Sequence, residues 1–479
     1  MGFTERLPSR GKWVLLFACI VAVVGCRKAR PEPEPTQRTV GALAREAADA
    51  LPSRATPSGR ILERTITAAP AEISLGAGGK TRVWAYDGQV PGPTLRVRLG
   101  DTVRVTLVNH LPQPTTIHWH GLRVPNGMDG VPTIERPAIE PGSSFTYEFT
   151  PKDAGTYWFH PHIRSSEQVE RGLYGVLVVE DLSPPPYDAD VVWVLDDFLL
   201  DERGQIVEEF NTPHDLAHDG RWGNAIAING RERETLRLRS GERVRIRMIN
   251  VANGRVFAPD FGRLDAKIIA VDGLYVREPF PARGFEMAPG NRIDVDVTAD
   301  AVASEHVAVV DRFIARRSNP LADVIVDGIR EGRTDLLPPS TRLGSWSQAL
   351  EEPIAKEVHL DARRGGPYGI EWTLNGVAFS GHDHGASPIV TMTAGRLHRL
   401  RFVNDSYRLH PIHLHGTFFR LLARSGAATD EAFFRDTVLV HAKETVDVAV
   451  VPFDEGDWML HCHVLEHAEA GMMTTFRVE

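Results

Sequence analysis

Cysteine is scarce in this chain, with three among 479 residues. Cys19 lies inside an N-terminal apolar run and Cys26 closes that run, so Cys462 is the single cysteine of the remaining sequence. No disulfide can form within that remainder, and a lone cysteine in an exported protein fits a metal ligand better than a structural bridge. Methionine is also sparse, at eight residues, and forms no methionine-rich segment.

A hydrophobic run long enough to span a membrane is lacking too. The apolar run Trp13–Val24 follows a basic segment, residues 6–12, and its length is typical of a secretory signal. It ends in Gly25-Cys26, which resembles a bacterial lipoprotein box; the alternative is an ordinary cleaved signal with an incidental cysteine. We predict a lipoprotein-type signal over residues 1–26, a lipid anchor at Cys26, and a location in the periplasm or cell envelope.

Clusters of positive charge are missing as well. The formal net charge is −9 and no basic stripe runs along the chain, so we expect no nucleic-acid partner. The alternating Arg243, Arg245 and Arg247 are interpreted as a solvated strand face. Residues 27–60 are rich in proline, arginine and glutamate, and this composition predicts a flexible tether without a stable fold.

What the sequence does contain is a strand-like segment that occurs three times. A glycine is followed nine residues later by an asparagine across alternating apolar and polar positions: Gly100 and Asn109, Gly241 and Asn250, Gly395 and Asn404. Short alternating strands bounded by glycine and proline predict an all-β fold of sandwiches or barrels. We place domain one at residues 61–183, domain two at 187–336 and domain three at 350–479, with linkers at Pro184–Pro186 and around Leu337–Pro339.

The densest motif lies near the C-terminus. His461, Cys462 and His463 are adjacent, His467 follows Cys462 by five residues, and Met472 follows it by ten. Thiolate, imidazole and a weakly held thioether suit a copper ion that cycles between Cu(I) and Cu(II), whereas hard cations take oxygen ligands. Successive side chains of a strand point to opposite faces, so Cys462 is expected to face away from His461 and His463 and to join two metal sites.

Three further clusters supply imidazoles in pairs: His118-Trp119-His120, His160-Pro161-His162 and His410-Pro411-Ile412-His413-Leu414-His415. One pair alone would indicate a surface turn or a satisfied core histidine. Four pairs, one of them interrupted by Cys462, favour metal binding instead. Nine residues beyond Asn109 and Asn404 lie His118 and His413, whereas the same step from Asn250 reaches Pro259, so domains one and three are predicted to carry metal and domain two is not.

With these four motifs in order, the chain resembles the multicopper oxidases, in particular the three-domain laccase-like enzymes of bacteria, over roughly residues 60–479. The resemblance implies three consecutive cupredoxin-like (Greek-key) domains and four coppers per chain. It implies these ligands: His410, Cys462, His467 and axial Met472 for the blue type 1 copper; His118 and His413 for type 2; His120, His160 and His463 for one type 3 copper; and His162, His415 and His461 for the other.

The resemblance also implies an activity. A small reducing substrate, such as a phenol or aromatic amine, would give up single electrons through the edge of His410 or His467; Cys462 would pass them to His461 and His463, and O2 would be reduced to water. A cuprous-ion or other metal-ion oxidase shares this core, although such enzymes often carry a methionine-rich segment. A noncatalytic envelope protein would be expected to lose ligands, and a copper nitrite reductase would use two domains. The sequence predicts no particular oligomeric state.

Asp129 is the candidate for proton transfer. It is either a turn residue or, as in similar enzymes, an acid placed near the cluster. Many bacterial relatives have a glutamate directly after the second type 1 histidine, where this chain has Ala468. We therefore expect Asp129 to carry a larger share of proton delivery, with Glu469 a weaker candidate.

Two other histidine pairs lie in polar, glycine-rich stretches. They are His214 with His218 and His382 with His384. Both are interpreted as exposed loops, with auxiliary copper capture as the alternative.

Overall fold

The computed structural model describes Gly2 and residues 39–52, 54–75, 79–132, 137–299, 305–329, 341, 343–379, 387–429 and 431–479. The predicted signal apart from Gly2, the anchor residue Cys26, the second linker around Leu337–Pro339, and His382 with His384 therefore lie outside the described residues.

The first third of the described chain forms two sheets. Its strands are β1 (Ile61–Ile73), β2 (Thr81–Tyr86), β3 (Thr94–Arg98), β4 (Thr102–Asn109), β5 (His118–His120), β6 (Ser144–Phe149), β7 (Gly155–His160) and β8 (Gly175–Glu180). The strand orders are β2-β1-β4-β6 and β3-β8-β7-β5. Along β4, Val103, Val105 and Leu107 are buried and alternate with half-buried residues, as one core-facing strand face requires.

The middle third repeats this two-sheet plan. Its strands are β9 (Ala189–Phe198), β10 (Ala225–Ile228), β11 (Glu234–Ser240), β12 (Arg243–Asn250), β13 (Pro259–Asp260), β14 (Asp265–Val271), β15 (Leu274–Pro281), β16 (Arg292–Thr298), β17 (Glu305–Asp311) and β18 (Asn319–Ile329). The orders are β10-β9-β12-β16-β14-β15 and β11-β18-β17-β13. Val244 and Ile246 from one sheet share a core with Val309 and Val324 from the other, so this third is a sandwich.

The last third is built in the same way. Its strands are β19 (Ile354–Arg364), β20 (Ile370–Leu374), β21 (Thr391–Met392), β22 (His398–Asn404), β23 (His410–Leu414), β24 (Phe419–Arg424), β25 (Ala427–Ala428), β26 (Thr437–Val440), β27 (Thr445–Val450), β28 (Gly456–Cys462) and β29 (Met473–Val478). The orders are β20-β19-β22-β27-β24-β25 and β21-β29-β28-β23-β26. Three consecutive sandwiches confirm the predicted all-β class.

Few helices interrupt the strands in the described part of the chain. They are α1 (Val40–Ala50), α2 (Ser165–Glu170), α3 (Pro213–Ala217) and α4 (Leu465–Glu469), with 3-10 turns at Asn126–Met128 and Ser347–Glu351. Among the described helices, none is both long and apolar enough to cross a bilayer.

The asparagine repeat has a structural cause. Asn109, Asn250 and Asn404 end equivalent strands, and each side-chain amide donates to two or more carbonyls of the following loops while its oxygen accepts the backbone N–H two residues on. In the first sandwich the acceptors are the carbonyls of Gln113 and Ile139, at 3.0 and 2.8 Å. One residue therefore fixes two loops at the same end of every sandwich.

The tether prediction is wrong for residues 40–51. Residues 40–50 form α1, which buries Leu43, Ala47 and then Leu51 in the core of the first sandwich. The Glu46 carboxylate accepts hydrogen bonds from Trp346 Nε1 at 2.8 Å and Gly344 N at 3.0 Å. The apolar residues recur at helical spacing, which the charged composition of the segment had masked.

The prediction that the arginines of β12 form a solvated face is also wrong. Arg245 and Arg247 are 2% and 3% exposed. Arg245 pairs with Asp294 on the neighbouring β16, and Arg247 pairs with Asp190 and donates to Thr156 Oγ1 of the first sandwich at 2.8 Å. Partner carboxylates from adjacent strands offset the desolvation of each guanidinium, which alternation within one strand does not reveal.

Candidate metal centre

The predicted type 1 ligands converge in the third sandwich. Cys462 Sγ lies 3.6 Å from His410 Nδ1 and 3.8 Å from His467 Nδ1, and the two imidazole nitrogens are 3.2 Å apart. His410 opens β23, Cys462 ends β28, and His467 lies on α4. All three side chains are fully buried, and burial lowers the pKa of His467 to about 3, so the imidazole is neutral.

Hydrogen bonds fix which nitrogen each imidazole presents. His410 Nε2 donates to Ser406 Oγ at 2.8 Å, and His467 Nε2 donates to the carbonyl of His218 at 2.7 Å. Each Nδ1 is therefore the free acceptor that faces Cys462. Met472 is fully buried beside them, and its backbone pairs with Cys462 and His467 at 3.0 and 2.9 Å.

A segment of the middle third covers this site. Besides His218, the carbonyl of Leu216 accepts from Trp372 Nε1 at 2.8 Å, and Asp219 Oδ1 accepts from Leu409 N at 2.9 Å. We call residues 212–223 the roof. His214 and His218 are thus on and just after the short helix α3, which begins with a Thr212–Asp215 capping box, rather than in a loop.

The roof lies over the imidazoles of the predicted type 1 site. His410 and His467 are both 0% exposed, so neither presents the open edge that the sequence had suggested. The His214 side chain is 76% exposed on the outer side and its ring stacks on that of His218, with centroids 4.2 Å apart.

The other eight predicted copper ligands gather where the first and third sandwiches meet. Their ligand atoms form three-residue groups within 4.8 Å: His118 with His413 and His415, His118 with His120 and His160, and His162 with His415 and His461. His463 stands beside them, with its ring centroid 4.9 Å from His120 and 5.5 Å from His160. The register places His118 opposite His160 and His413 opposite His461, so cross-strand pairing builds each half.

In most of these imidazoles, one ring nitrogen is hydrogen-bonded to a carbonyl or carboxylate oxygen of the protein. The pairs are His118 Nδ1 with Asp129 O (2.9 Å), His160 Nδ1 with Pro161 O (2.9 Å), His413 Nδ1 with Asp436 O (2.9 Å), His461 Nδ1 with Cys462 O (2.8 Å), His415 Nδ1 with Asp129 Oδ2 (2.8 Å) and His120 Nε2 with Asp436 Oδ1 (3.3 Å). His120 therefore presents Nδ1 and the other five present Nε2.

The nitrogens left over fit a metal. Buried and without a hydrogen-bond partner among the described residues are His118 Nε2, His120 Nδ1, His160 Nε2, His413 Nε2 and both nitrogens of His463. Burial lowers the pKa of His120, His160 and His463 well below the usual value, so they are neutral ligands. Leaving such groups unpaired is costly, and a bound cation would offset that cost.

Cys462 connects the two sites directly. It lies between His461 and His463 in sequence, and its carbonyl accepts the His461 Nδ1 hydrogen bond. Burial raises the pKa of the Cys462 thiol, so the thiolate needs a cation beside it.

The two acids proposed for proton transfer lie in different surroundings. Asp129 follows the 3-10 turn and is 3% exposed; besides the His415 contact, its Oδ1 lies 3.3 Å from His118 Nδ1. Glu469 lies on α4, where burial raises its pKa against the nearby positive charge of Arg164. Of these two acids, only Asp129 contacts cluster histidines among the described residues.

The sequence reasoning missed three supporting residues. Asp436 belongs to no motif and lies 21 residues beyond His415. Arg292 also belongs to no motif; it lies in the middle third, and its guanidinium pairs with the Asp436 carboxylate. Ser406 could have been found from the repeat. The residue two positions after the repeated asparagine is Leu111 in the first copy, Ala252 in the second and Ser406 in the third, and of these only Ser406 is polar.

Three sandwiches with a thiolate-imidazole site next to an eight-histidine cluster define a copper-dependent oxidase. Residues 67–184, 189–325 and 352–479 each match a family model described as multicopper oxidase. The chain is 31% identical to multicopper oxidase MmcO of Mycobacterium tuberculosis, over 89% of each chain, and 26% identical to Laccase-2 of Cryptococcus neoformans, over 83% and 81%. The crystal structure of a multi-copper oxidase from Pseudomonas thermotolerans superimposes with a TM-score of 0.77 at 31% identity, covering 88% of this chain and all of that one.

The chain therefore belongs to the multicopper oxidase family. It is a copper-binding oxidoreductase that uses O2 and a reducing substrate.

Proposed function

We propose that this protein is a laccase-like oxidase that holds four coppers and couples four one-electron oxidations of phenols or aromatic amines to the reduction of O2 to two waters. Its type 1 ligands are His410, Cys462, His467 and axial Met472. Its type 2 ligands are His118 and His413, and its type 3 ligands are His120, His160 and His463 for one ion and His162, His415 and His461 for the other. The observation that carries the proposal is the Cys462 link between two buried ligand sets.

Copper bound at these sites would supply one-electron transfer and dioxygen reduction. The chain's own residues do the rest. The roof carbonyl of His218 orients His467 and connects it to the surface, so an electron from a donor on the roof has a path of covalent bonds and one 2.7 Å hydrogen bond. Cys462 then provides two branches, through the peptide links to His461 and to His463. Asp129 holds or passes a proton at His415.

A second candidate, oxidation of cuprous ion, is favoured by one feature. The exposed His214 and the adjacent His218 offer imidazoles to a soft cation on the roof, and the His218 backbone contacts the type 1 ligand His467. The chain's few methionines weigh against a methionine-based version of this reaction.

The test compares steady-state oxidation of phenols, aromatic amines, Cu(I), Mn(II) and bilirubin by the copper-loaded protein. We expect phenol turnover, an intense blue colour, and loss of both in Cys462→Ser. If the protein oxidises Cu(I) but not phenols or aromatic amines, and His214→Ala lowers Cu(I) turnover while the His306→Ala control does not, the cuprous reaction replaces the laccase proposal. A protein with full copper content that oxidises none of these donors would contradict both.

A further inference from the structure

Two acids flank the histidine cluster in matching positions. The backbone carbonyls of Asp129 and Asp436 accept from Nδ1 of His118 and His413, both at 2.9 Å. Each carboxylate then reaches the second histidine of the opposite motif: Asp129 Oδ2 lies 2.8 Å from His415 Nδ1, and Asp436 Oδ1 lies 3.3 Å from His120 Nε2. Each acid therefore orients one imidazole from the first sandwich and one from the third.

The two acids differ in their counter-charge. Asp436 forms a bidentate pair with Arg292, with Nη1–Oδ1 at 2.9 Å and Nη2–Oδ2 at 2.6 Å, and both side chains are 0% exposed. Among the described residues, the Asp129 carboxylate has polar contacts only with His118 and His415, and its Oδ1 is buried without a hydrogen bond. One acid is neutralised by a guanidinium and the other is not.

Arg292 is held in place on every side. Its Nε donates to Thr156 O at 3.1 Å, its Nη1 to Gly290 O at 3.1 Å and its Nη2 to Asp272 O at 2.9 Å. Together with the two bonds to Asp436 these contacts use all five guanidinium N–H groups. Arg292 begins β16, so its position is set by the middle sandwich rather than by either ligand-bearing sandwich.

The same strand end touches the cluster and its supporting loop. A Cβ at Gly290, where φ is +90°, would lie 2.9 Å from His120 Cε1 and 3.0 Å from His463 Cδ2, so the backbone packs directly on both rings. Asp272 accepts from the backbone N–H groups of Asp436 and Thr437 at 3.1 and 3.3 Å. The loop that carries Asp436 is therefore fixed by residues of the middle sandwich.

We propose that Arg292 is a positioning residue for the histidine cluster: it locks Asp436 so that His413 and His120 keep their ligating nitrogens free. The inference rests on the proposed four-copper function. The middle sandwich, which contributes no predicted copper ligand, thereby helps to build the cluster. Lysine cannot replace the Arg292 guanidinium, because lysine carries the positive charge but lacks the planar set of five N–H donors.

Arg292→Lys is the main variant, and Arg255→Lys is its matched control, because Arg255 is a buried arginine of the same sandwich that pairs with Asp197 at 2.7 Å. We measure copper per chain after dialysis against a graded chelator, the electron paramagnetic resonance signal of type 2 copper, and the type 1 absorption band. Arg292→Lys should weaken retention of type 2 copper roughly 10- to 100-fold, the usual scale for losing a ligand-orienting partner. The blue band should remain, and Arg255→Lys should match the wild type.

Wild-type retention and an unchanged type 2 signal in Arg292→Lys would overturn the proposal, as would an equal loss in Arg255→Lys. Should Arg292→Lys fail to fold, Asp436→Asn is examined in the copper-free protein by imidazole 15N NMR. His120 should then populate both tautomers, and an unchanged single tautomer would also overturn the proposal. These readouts do not depend on turnover, whereas failure of the proposed function would appear as a wild type that lacks oxidase activity.

Discussion

At the scale of single residues, the site is defined by which ring nitrogen is already used. At both histidines of the proposed type 1 site, Nε2 is hydrogen-bonded to the protein, whereas at five of the cluster histidines the hydrogen-bonded nitrogen is Nδ1. A hydrogen-bonded outer nitrogen fixes the tautomer and orients the ring before metal arrives. The identity of the supporting residue thus matters nearly as much as the ligand.

Met472→Leu should raise the type 1 reduction potential by tens of millivolts, because removing a thioether ligand destabilises Cu(II) relative to Cu(I). Redox titration of the blue band measures this directly. Met473→Leu is the matched control, since Met473 is the next residue and pairs in register with His461. A shift in the control with none in Met472→Leu would move the axial role to Met473.

Asp129→Asn should slow reoxidation of the reduced enzyme by O2 by about 10²-fold, the scale for losing a positioned acid or base. The amide oxygen can still accept from His415, so the change removes the proton carrier more than the geometry. Stopped-flow measurement follows both half-reactions, and reduction by the donor is the internal control. A wild-type reoxidation rate in Asp129→Asn would mean that Asp129 only forms the turn and orients His415.

At the scale of elements, the sequence revealed the asparagine repeat but did not reveal the N-terminal helix α1. Asn109, Asn250 and Asn404 were visible as a spacing and turned out to tie loops at the end of each sandwich. Helix α1 was hidden by the proline-, arginine- and glutamate-rich composition of residues 27–60 as a whole, although five of its own eleven residues are alanine, the strongest helix former. Its folding depends on a surface that other segments provide.

Leu43→Ala should destabilise the folded protein by roughly 2–4 kcal/mol, because Leu43 is fully buried in the first core and the substitution leaves a cavity. Urea unfolding of the variant measures this loss. Leu182→Ala, the same change at a residue that is 74% exposed, should stay within about 0.5 kcal/mol of the wild type. Equal stability of the two variants would mean that α1 does not dock in solution.

At the scale of the whole molecule, ionic contacts join the middle and third sandwiches. His441 Nε2 lies 2.9 Å from Glu286 Oε2, and each side chain is 40% exposed. The hydrogen bond with Glu286 raises the pKa of His441 above 6.5, and the same bond lowers the pKa of Glu286 below 4.5. The pair therefore stabilises the fold most between these two values.

The sign of the pH dependence follows from each partner. The His441 contribution is complete below its unfolded pKa and is lost as pH rises through its raised pKa; the Glu286 contribution is lost as pH falls through its lowered pKa. A double-mutant cycle with His441→Gln and Glu286→Gln should give a coupling of about 0.5–1 kcal/mol near pH 5.5, and almost none near pH 9. The same coupling at both values would contradict the ion pair.

Anchoring of the whole molecule at Cys26 stays a prediction, because this residue lies outside the described residues. Cys26→Ala should release a membrane-associated protein into soluble form, or block its processing, without changing the blue band. Fractionation followed by mass spectrometry of the mature N-terminus tests this. An unacylated N-terminus at another residue would contradict the lipoprotein signal.

The sequence alone was sufficient for the fold class and for the ligand candidates. Alternating strands reveal a sandwich because a sheet with one buried face imposes a period of two. Ligands recur at short spacings because two imidazoles on one strand face must be two residues apart, as in His118 and His120. The family's four motifs are therefore local patterns, and local patterns are readable without a structure.

The tertiary structure decided what surrounds those ligands. Arg292 meets Asp436 across 144 residues, and the His218 carbonyl meets His467 across 249. The arginines of β12 and the helix α1 were misread for the same reason: their burial depends on carboxylates and apolar surfaces from distant segments. Desolvation and pairing are properties of the assembled core, so no spacing within one strand or helix encodes them.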